Sequence, residues 1–355
     1  MSKNKQITLQ QAAEIVKNGS SLTFSGFTIW RRPFALVYEL IRQQRASRAL
    51  IEVTGGPQTE FLVGAGCVDV WESCWVGHEL YGKYGANRSP KVGEKQIIVE
   101  DYSHAEMMFR FAAAAQGTPY AVTQTSLGTD IHNPEYDMLG RAGKRDGKRI
   151  SKQKYIFTED PFYDGGQLVM IPAVKVDVAV LCVQQVGEEG TVRVAGQLYS
   201  DAEVCRAADI TIVAAEEIVP EDYLRRDADR NTIPTFEVDY ILECPFGGHP
   251  TGMFGKYDVD GAFLKDFYGR TRTQEGFDAF AKEWIFGLDH ISYLEKLGWP
   301  RMLGLRATTA RVVRAAGAPG AARALEIVRS EMERTLGLIG CARMAEVDAR
   351  FVGRG

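Results

Sequence analysis

A histidine and a glutamate two positions apart are the side chains best suited to acid–base chemistry. His104 and Glu106 lie at the start of a segment, 103–116, whose pattern predicts a helix that ends at a glycine. Turned together into a cleft, the two could act as a general base on water or on a carbon acid. The alternative is structural, because Ser103 followed three residues later by glutamate is typical of a capping box. The spacing favours the capping box.

Glycine-bearing loops after predicted strands are the second source of chemistry. Glycine tolerates positive φ and lets the main chain approach a ligand or another protein chain closely. Its exposed backbone N–H groups can also hold a developing oxyanion. The predicted substrate-binding residues in these loops are Ser25, Gly26, Phe27, Gly55, Gly56, Ser126, Gly128, Gly248 and His249. For Gly26 the alternative is a tight strand-to-helix turn, and for His249 a structural hydrogen bond to a loop carbonyl.

Strands that are almost continuously apolar alternate with helical segments along the chain. The predicted strands are 21–25, 49–54, 97–100, 120–123, 176–185 and 238–244, and the predicted helices are 9–17, 34–42, 103–116 and one that begins after Thr273. This alternation predicts an α/β fold with a mostly parallel sheet and helices on both faces. In such sheets ligands bind at the carboxyl ends of the strands, where the strand order reverses. We therefore expect the glycine-bearing loops to gather there.

Composition excludes several classes of protein. The net charge is only −4, and the 42 Lys and Arg residues are interspersed with 46 Asp and Glu, so we expect no nucleic-acid partner. No stretch approaches the roughly 18 apolar residues of a membrane span, and the N-terminus lacks the apolar core of a signal peptide. The six cysteines are scattered without zinc spacing, which indicates reduced cytoplasmic thiols and no metal. Neither a P-loop nor a G-x-G-x-x-G motif is present.

One large domain, 1–300, is expected, followed by a C-terminal helical appendage, 301–355. Within the domain, 139–167 is rich in Arg, Lys, Gly and Asp and predicts a surface excursion. Within the appendage, 321–336 is patterned as a helix.

An ordered series of short motifs carries a resemblance to a known family. The segments are Ser25-Gly26-Phe27-Thr28, Arg32-Pro33, Val99-Glu100-Asp101-Tyr102-Ser103, Gly190-Thr191-Val192-Arg193-Val194, Glu216-Glu217-Ile218-Val219, Arg225-Arg226-Asp227 and Pro245-Phe246-Gly247-Gly248-His249-Pro250. Together they resemble the A subunits of glutaconate CoA-transferase, a class I CoA-transferase. The likeness spans about residues 6 to 300.

The resemblance implies the fold shared with ribose-phosphate isomerases, and coenzyme A bound as a substrate thioester. It also implies a homologous B subunit, in a heterodimer paired into A2B2 or larger. In that family the acyl thioester is attacked by a glutamate of the B subunit, which then carries a glutamyl-CoA thioester. The acid would be a dicarboxylate such as glutaconate, with an acetyl-CoA-like donor. No catalytic residue is then expected in this chain.

Departures from the family leave other functions open. The loop 125–130 differs from that of the glutaconate enzyme, which affects the choice of acid. A thioester hydrolase, such as a ring-cleaving one, or a decarboxylase on the same scaffold would make Glu106 or His104 the acid–base group. A non-catalytic scaffold or sensor is a third hypothesis, because fold alone does not settle function.

Overall fold

A computed structural model of the chain describes residues 5–81 and 97–306. The strands are β1 (Ser21–Phe24), β2 (Ser47–Ile51), β3 (Val68–Ser73), β4 (Ile98–Asp101), β5 (Tyr120–Thr123), β6 (Ile156–Glu159), β7 (Gln167–Pro172), β8 (Val176–Gly187), β9 (Val192–Arg193), β10 (Ala208–Val219) and β11 (Tyr240–Glu243). The α-helices are α1 (Leu9–Ile15), α2 (Phe34–Arg42), α3 (Pro57–Gly64), α4 (His104–Ala115), α5 (Met138–Arg141), α6 (Asp201–Arg206), α7 (Glu221–Arg225), α8 (Gly261–Arg270), α9 (Gln274–Trp284), α10 (His290–Leu297) and α11 (Trp299–Leu305). Short 3-10 helices cover Asp130–His132, Pro134–Tyr136, Ala228–Arg230 and Thr235–Glu237.

The central sheet has the order β11-β10-β8-β1-β2-β3-β4, and all of these neighbours are parallel. β9 pairs antiparallel with β8, across the turn that contains Glu188 and Glu189. From β1 the chain adds strands on one side as far as β4 and then crosses to β8 on the other side. The strand order therefore reverses between β1 and β8, and the predicted fold class is confirmed.

The sheet is buried on both faces. In β8, Val178 and Val180 join one apolar cluster, whereas Ala179 and Leu181 join another. Neighbouring residues of a strand point to opposite faces, so these two clusters lie on the two sides of the sheet. The helices that cover such a sheet supply the rest of its apolar core.

Local signals place several helices as predicted. Thr8 caps α1 with a capping box completed by Gln11. Thr273 caps α9, whose buried Phe277 packs against the backbone of Gly64 in α3, where an added Cβ would lie 2.4 Å from the ring. Helix α9 is thus docked on the main body, as its apolar face predicts.

The region around the predicted excursion is more regular than expected. Within 139–167 lie β6 and part of α5, and β6 pairs antiparallel with β7. Strand β5 also pairs antiparallel with β7, in a separate sheet of order β5-β7-β6. The expectation that β5 belongs to the parallel sheet is therefore wrong.

The described residues up to Leu305 belong to one compact unit. The predicted helix at 321–336 lies outside the described residues. None of the helices in the described ranges combines the length and the apolar character that a membrane crossing needs.

Candidate active site

The end of β1 lies at the reversal of strand order. The Ser25 backbone N–H donates to the Val180 carbonyl over 3.0 Å, and the Cys182 N–H donates to the Ser25 hydroxyl over 2.9 Å. Gly26 follows with φ of +86°, and a Cβ there would lie 2.3 Å from the Trp30 carbonyl oxygen. Only glycine fits this turn. The tight-turn interpretation of Gly26 therefore accounts for the residue.

A buried guanidinium ties the end of β1 to the end of β2. Arg32 donates from Nη1 to the Ser25 carbonyl (3.2 Å), from Nε to the Thr28 carbonyl (3.2 Å) and from Nη2 to the Thr54 carbonyl (2.5 Å). Its counter-ion is Glu52 at 3.6 Å. Burial lowers the pKa of Arg32 to about 10, still well above neutral pH. The two loops are thus fixed by one cation.

The other glycine loops of the parallel sheet approach the same place. A Cβ on Gly56 would lie 2.0 Å from the Thr28 carbonyl oxygen, so glycine is needed for the loop after β2 to pass. The Arg32 N–H donates to the Thr251 hydroxyl over 3.1 Å, and Gly248 faces the Arg32 carbonyl, 3.4 Å from a hypothetical Cβ. Three of the four predicted loops therefore gather at the reversal of strand order.

The loop of Ser126 and Gly128 is different. It follows β5, which belongs to the antiparallel sheet, so the rule for carboxyl ends of parallel strands does not apply to it. Both residues have positive φ, 66° and 74°. A substrate contact from this loop stays a prediction.

His249 is fully built into the fold. Its side chain is buried, with Nδ1 2.5 Å from the Tyr293 hydroxyl and Nε2 3.0 Å from the Asp260 carboxylate. Burial lowers the pKa of this imidazole, with Asp260 opposing the shift. Because both nitrogens have partners inside the protein, the structure favours the structural interpretation of His249.

Glu106 forms the predicted capping box. The Ser103 N–H donates to its Oε2 over 2.9 Å, and the Glu106 N–H donates to the Ser103 hydroxyl over 3.3 Å. Its Oε1 lies 2.6 Å from Nε2 of His132, a residue that sequence reasoning did not connect with it. Glu106 is buried whereas His104 is exposed, so the two do not face a common cleft.

His104 nevertheless approaches the Gly26 turn. Its ring lies 5.4 Å from that of Tyr199, which lies 4.7 Å from the ring of Phe27. The Tyr199 hydroxyl is a buried atom with no hydrogen-bond partner among the described residues, and so are the hydroxyls of Thr28 and Thr54. Buried polar atoms are normally satisfied, so these three hydroxyls are exceptions to that rule near the Gly26 turn.

Glu216, at the end of the buried part of β10, organises the Gly248 loop and was not assigned a role from sequence. The Tyr257 hydroxyl donates to its Oε1 over 2.6 Å, and the Phe246 N–H donates to its Oε2 over 2.9 Å. Tyr257 in turn accepts a bond from the Gly248 N–H over 3.1 Å. Burial raises the pKa of Glu216 to about 7. The sequence signal was its position directly after the apolar run 212–215 of β10.

A buried ion pair, also missed from sequence, lies beside the Gly26 turn. Arg31 donates from Nη1 and Nη2 to the two carboxylate oxygens of Asp201 at 2.9 and 2.7 Å. The same oxygen that meets Nη1 accepts the Gly26 N–H over 3.3 Å. Arg31 adopts φ of +55°, and its pairing with Asp201 holds the turn in place.

An open cavity of about 260 Å³ lies next to this ion pair. It is lined by Phe27, Trp30, Arg31, Gln197 and Phe254, and we call it the aromatic cavity. In the described part of the chain, no cluster of three or more His, Cys, Asp or Glu side chains is arranged to hold a metal ion.

The family follows from comparison with known proteins. The sequence model described as Coenzyme A transferase matches residues 6–244. This chain belongs to the coenzyme A transferase family. The sequence is 33% identical over 305 residues to the A subunit of glutaconate CoA-transferase from Acidaminococcus fermentans, covering 85% of this chain and 95% of that one. It is 29% identical to the A subunit of 3-oxoadipate CoA-transferase from Pseudomonas knackmussii, covering 81% and 95%.

The structural comparison agrees. The crystal structure of glutaconate coenzyme A-transferase from Acidaminococcus fermentans superposes with a TM-score of 0.81 at 32% identity, covering 86% of this chain and 96% of that chain. The predicted resemblance and enzyme class are therefore confirmed: the chain is an A-type subunit of a CoA-transferase, and the family uses CoA as a substrate. The proteins that it resembles are A subunits of enzymes with a second subunit.

Proposed function

We propose that this CoA-transferase subunit joins a homologous B-type subunit, and that the pair transfers CoA between an acyl-CoA and a carboxylic acid. The observation that supports this most is the gathering of three glycine-bearing strand ends around one buried cation, Arg32. Glu106 is held in a capping box, and His249 is hydrogen-bonded through both ring nitrogens. Such a site shapes a pocket and leaves the attack to a group from outside the chain.

The proposed chemistry divides between the two proteins of the pair. A carboxylate of the partner attacks the thioester carbonyl, the C–S bond breaks, and CoA leaves as a thiolate. The thiolate then attacks the glutamyl carbonyl of the anhydride, which releases the free acid and leaves a glutamyl-CoA thioester. An incoming acid reverses these steps. This chain contributes rigid loop backbone at the reversal of strand order, where preorganised donors stabilise a developing oxyanion.

The finer features of the assembly are proposals as well. We propose an A2B2 or larger oligomer in the cytoplasm, with no metal requirement and no nucleic-acid or membrane partner. The relatives named for glutaconate and 3-oxoadipate favour a dicarboxylate as the acid. The hydrolase and decarboxylase alternatives require Glu106 or His104 to meet the substrate, and the capping box of Glu106 does not favour them.

The test is a trapping experiment on the pair produced by co-expression with the neighbouring B-type gene. Incubation with acetyl-CoA should create a hydroxylamine- and borohydride-sensitive thioester, and acetyl-CoA should lose its CoA to added acids with ping-pong kinetics. The same pair incubated without acyl-CoA is the control and should remain resistant to both reagents. Acyl-CoA turnover by the isolated chain, or no CoA-dependent inactivation of the pair, would contradict the proposal.

A further inference from the structure

The rings of the aromatic cavity are held by the backbone of the Gly26 turn. The Trp30 N–H donates to the Phe27 carbonyl over 2.7 Å, and the Phe27 N–H donates to the Trp30 carbonyl over 3.0 Å. The Arg31 N–H donates to the Gly252 carbonyl over 2.8 Å, which ties this turn to the segment that carries Phe254. The positions of all three rings therefore depend on the carboxyl end of the sheet, where CoA transfer is proposed.

Two glycines make room for the rings. A Cβ on Gly252 would lie 2.5 Å from Cζ3 of Trp30, and a Cβ on Gly196 would lie 2.7 Å from Cγ of Phe254. Both aromatic side chains thus contact backbone at positions where a larger residue would clash with them. The two rings and the glycines behind them form a preformed wall. Phe254 is 61% exposed, whereas large apolar side chains are usually buried, so burial alone does not explain its position.

Among the residues that the structure describes, the cavity lining carries no unpaired charge. Its only ion, Arg31, has Nη1 bonded to Asp201 and to the Cys182 carbonyl at 3.4 Å, and Nη2 bonded to Asp201 and to the Gln197 carbonyl at 3.0 Å. A second carboxylate placed in this cavity would lose hydration without gaining a counter-ion from the wall, which is unfavourable. Three aromatic rings and the neutral amide of Gln197 favour the binding of a ligand with an apolar surface instead.

We propose that the aromatic cavity binds the uncharged, apolar tail of a monocarboxylic acid and of its CoA thioester. The inference rests on the proposed CoA transfer but replaces the dicarboxylate by a monocarboxylic acid with an aromatic or alkyl tail. The volume of about 260 Å³ equals that of about nine water molecules at roughly 30 Å³ each, which is enough for a phenyl ring or a short alkyl chain. The dicarboxylate favoured by the relatives is the competing acid.

Hexanoate and adipate make a matched test, because they have the same number of carbons and differ in a terminal methyl or carboxylate. With acetyl-CoA and the co-expressed pair, kcat/KM should favour hexanoate over adipate by at least about tenfold. Trp30→Ala and Phe254→Ala should each lower that ratio about tenfold. Phe236→Ala is the control, since Phe236 is an equally large ring, 85% exposed, outside the cavity lining. It should leave the ratio unchanged.

Two readouts separate failure of this inference from failure of the proposed function. The inference is overturned, and CoA transfer stands, if acetate exchange with acetyl-CoA proceeds but adipate is preferred to hexanoate. The same holds if Trp30→Ala and Phe254→Ala leave the hexanoate-to-adipate ratio of kcat/KM unchanged. If all transfer is absent, the proposed function fails. The inference about the aromatic cavity is then tested by measuring ligand binding alone. Saturation-transfer NMR should then show the ring of phenylacetate on the wild-type pair and on Phe236→Ala, but not on Phe254→Ala, and equal signals for all three would overturn the inference.

Discussion

The two ends of the parallel sheet differ in what they offer a ligand. At the amino end, beside Val176 and Asp209, lies a cavity of about 920 Å³ whose lining includes the exposed cations Lys148 and Arg149. At the carboxyl end lies the aromatic cavity, of only about 260 Å³. The buried ion pairs and the glycine-dependent turns lie at the carboxyl end. Strand direction, rather than cavity volume, therefore locates the candidate site.

The ion pairs show the same contrast. Arg149 pairs with Asp177 at the amino end, and its side chain is 42% exposed. Arg32 pairs with Glu52 at the carboxyl end, and both side chains are 1% exposed. Exposed pairs contribute little to stability, whereas removal of one partner from a buried pair leaves an uncompensated charge. The carboxyl end should thus be the more sensitive to substitution.

The largest effect is expected from Arg32→Ala. It removes the bonds to three loop carbonyls and leaves Glu52 buried without its cation, so the free energy of unfolding should fall by about 3–5 kcal/mol. Arg149→Ala at the amino end should change it by less than about 1 kcal/mol. Urea denaturation of both variants measures the difference. Equal losses would remove the contrast between the two ends.

Glu216→Gln should change the pH dependence of stability. Because the folded pKa is raised from 4.5 to about 7, the charged carboxylate is disfavoured in the folded state, and the stability present at low pH is lost as pH rises through 7. The loss amounts to at most about 3.5 kcal/mol, because the two pKa values differ by about 2.5 and each pKa unit corresponds to about 1.4 kcal/mol. The melting temperature of the wild type should fall as the pH rises from about 4.5 to about 7, and that of Glu216→Gln should change less over the same range. Asp209→Asn, an exposed carboxylate of the amino-end cavity, should keep the wild-type slope, and a wild-type slope in Glu216→Gln would refute the assignment.

Gly56→Ala tests the close approach of the loops after β1 and β2. The new methyl group would lie 2.0 Å from the Thr28 carbonyl oxygen, and the backbone shift that relieves the clash should lower stability by about 1–3 kcal/mol and reduce CoA transfer. In contrast, Gly269→Ala adds a methyl group with no heavy atom within 4 Å, inside α8. It should be neutral or stabilising by up to about 1 kcal/mol. Transfer activity of Gly56→Ala equal to that of Gly269→Ala would mean that the loops can separate freely.

Glu106→Ala should have the smallest effect on transfer. Loss of the capping box and of the bond to His132 should reduce stability by about 1–2 kcal/mol, with kcat for transfer nearly unchanged. Ser103→Ala removes the cap but keeps the bond to His132, so it should lose less. Melting temperature and transfer rate are measured together for both. Abolished turnover in Glu106→Ala but not in Ser103→Ala would instead support acid–base chemistry by Glu106.

Local signals were readable from the sequence. Each of the capping boxes of α1 and α4 is contained in four consecutive residues. The continuous apolar runs of the parallel strands predict that these strands are buried. Helix α3 was missed because all of its residues are buried, which leaves no apolar stripe to recognise. Strand β5 was assigned to the wrong sheet because its partner, β7, lies beyond the polar excursion.

The polar contacts of the site could not be predicted in the same way. Arg31 and Asp201 are 170 positions apart, and only the parallel pairing of β1 with β8 brings them together. Likewise, Glu216 reaches the Gly248 loop through the Phe246 N–H, 30 residues further along, and through Tyr257, 41 residues further along. The sequence indicated which loops would lie close together. It did not indicate which charged side chains of these loops would contact one another, because those contacts depend on the fold.

The hydrogen bonds from Arg32 to three loop carbonyls have a consequence for protein engineering. The three acceptors are main-chain carbonyls, so the backbone frame that they hold does not depend on which side chains stand at Ser25, Thr28 and Thr54. Trp30 and Phe254 extend from that frame and can be exchanged without disturbing it. A library restricted to these two positions should therefore yield folded enzymes with altered acid preference, which makes the protein a suitable scaffold for redirecting CoA transfer.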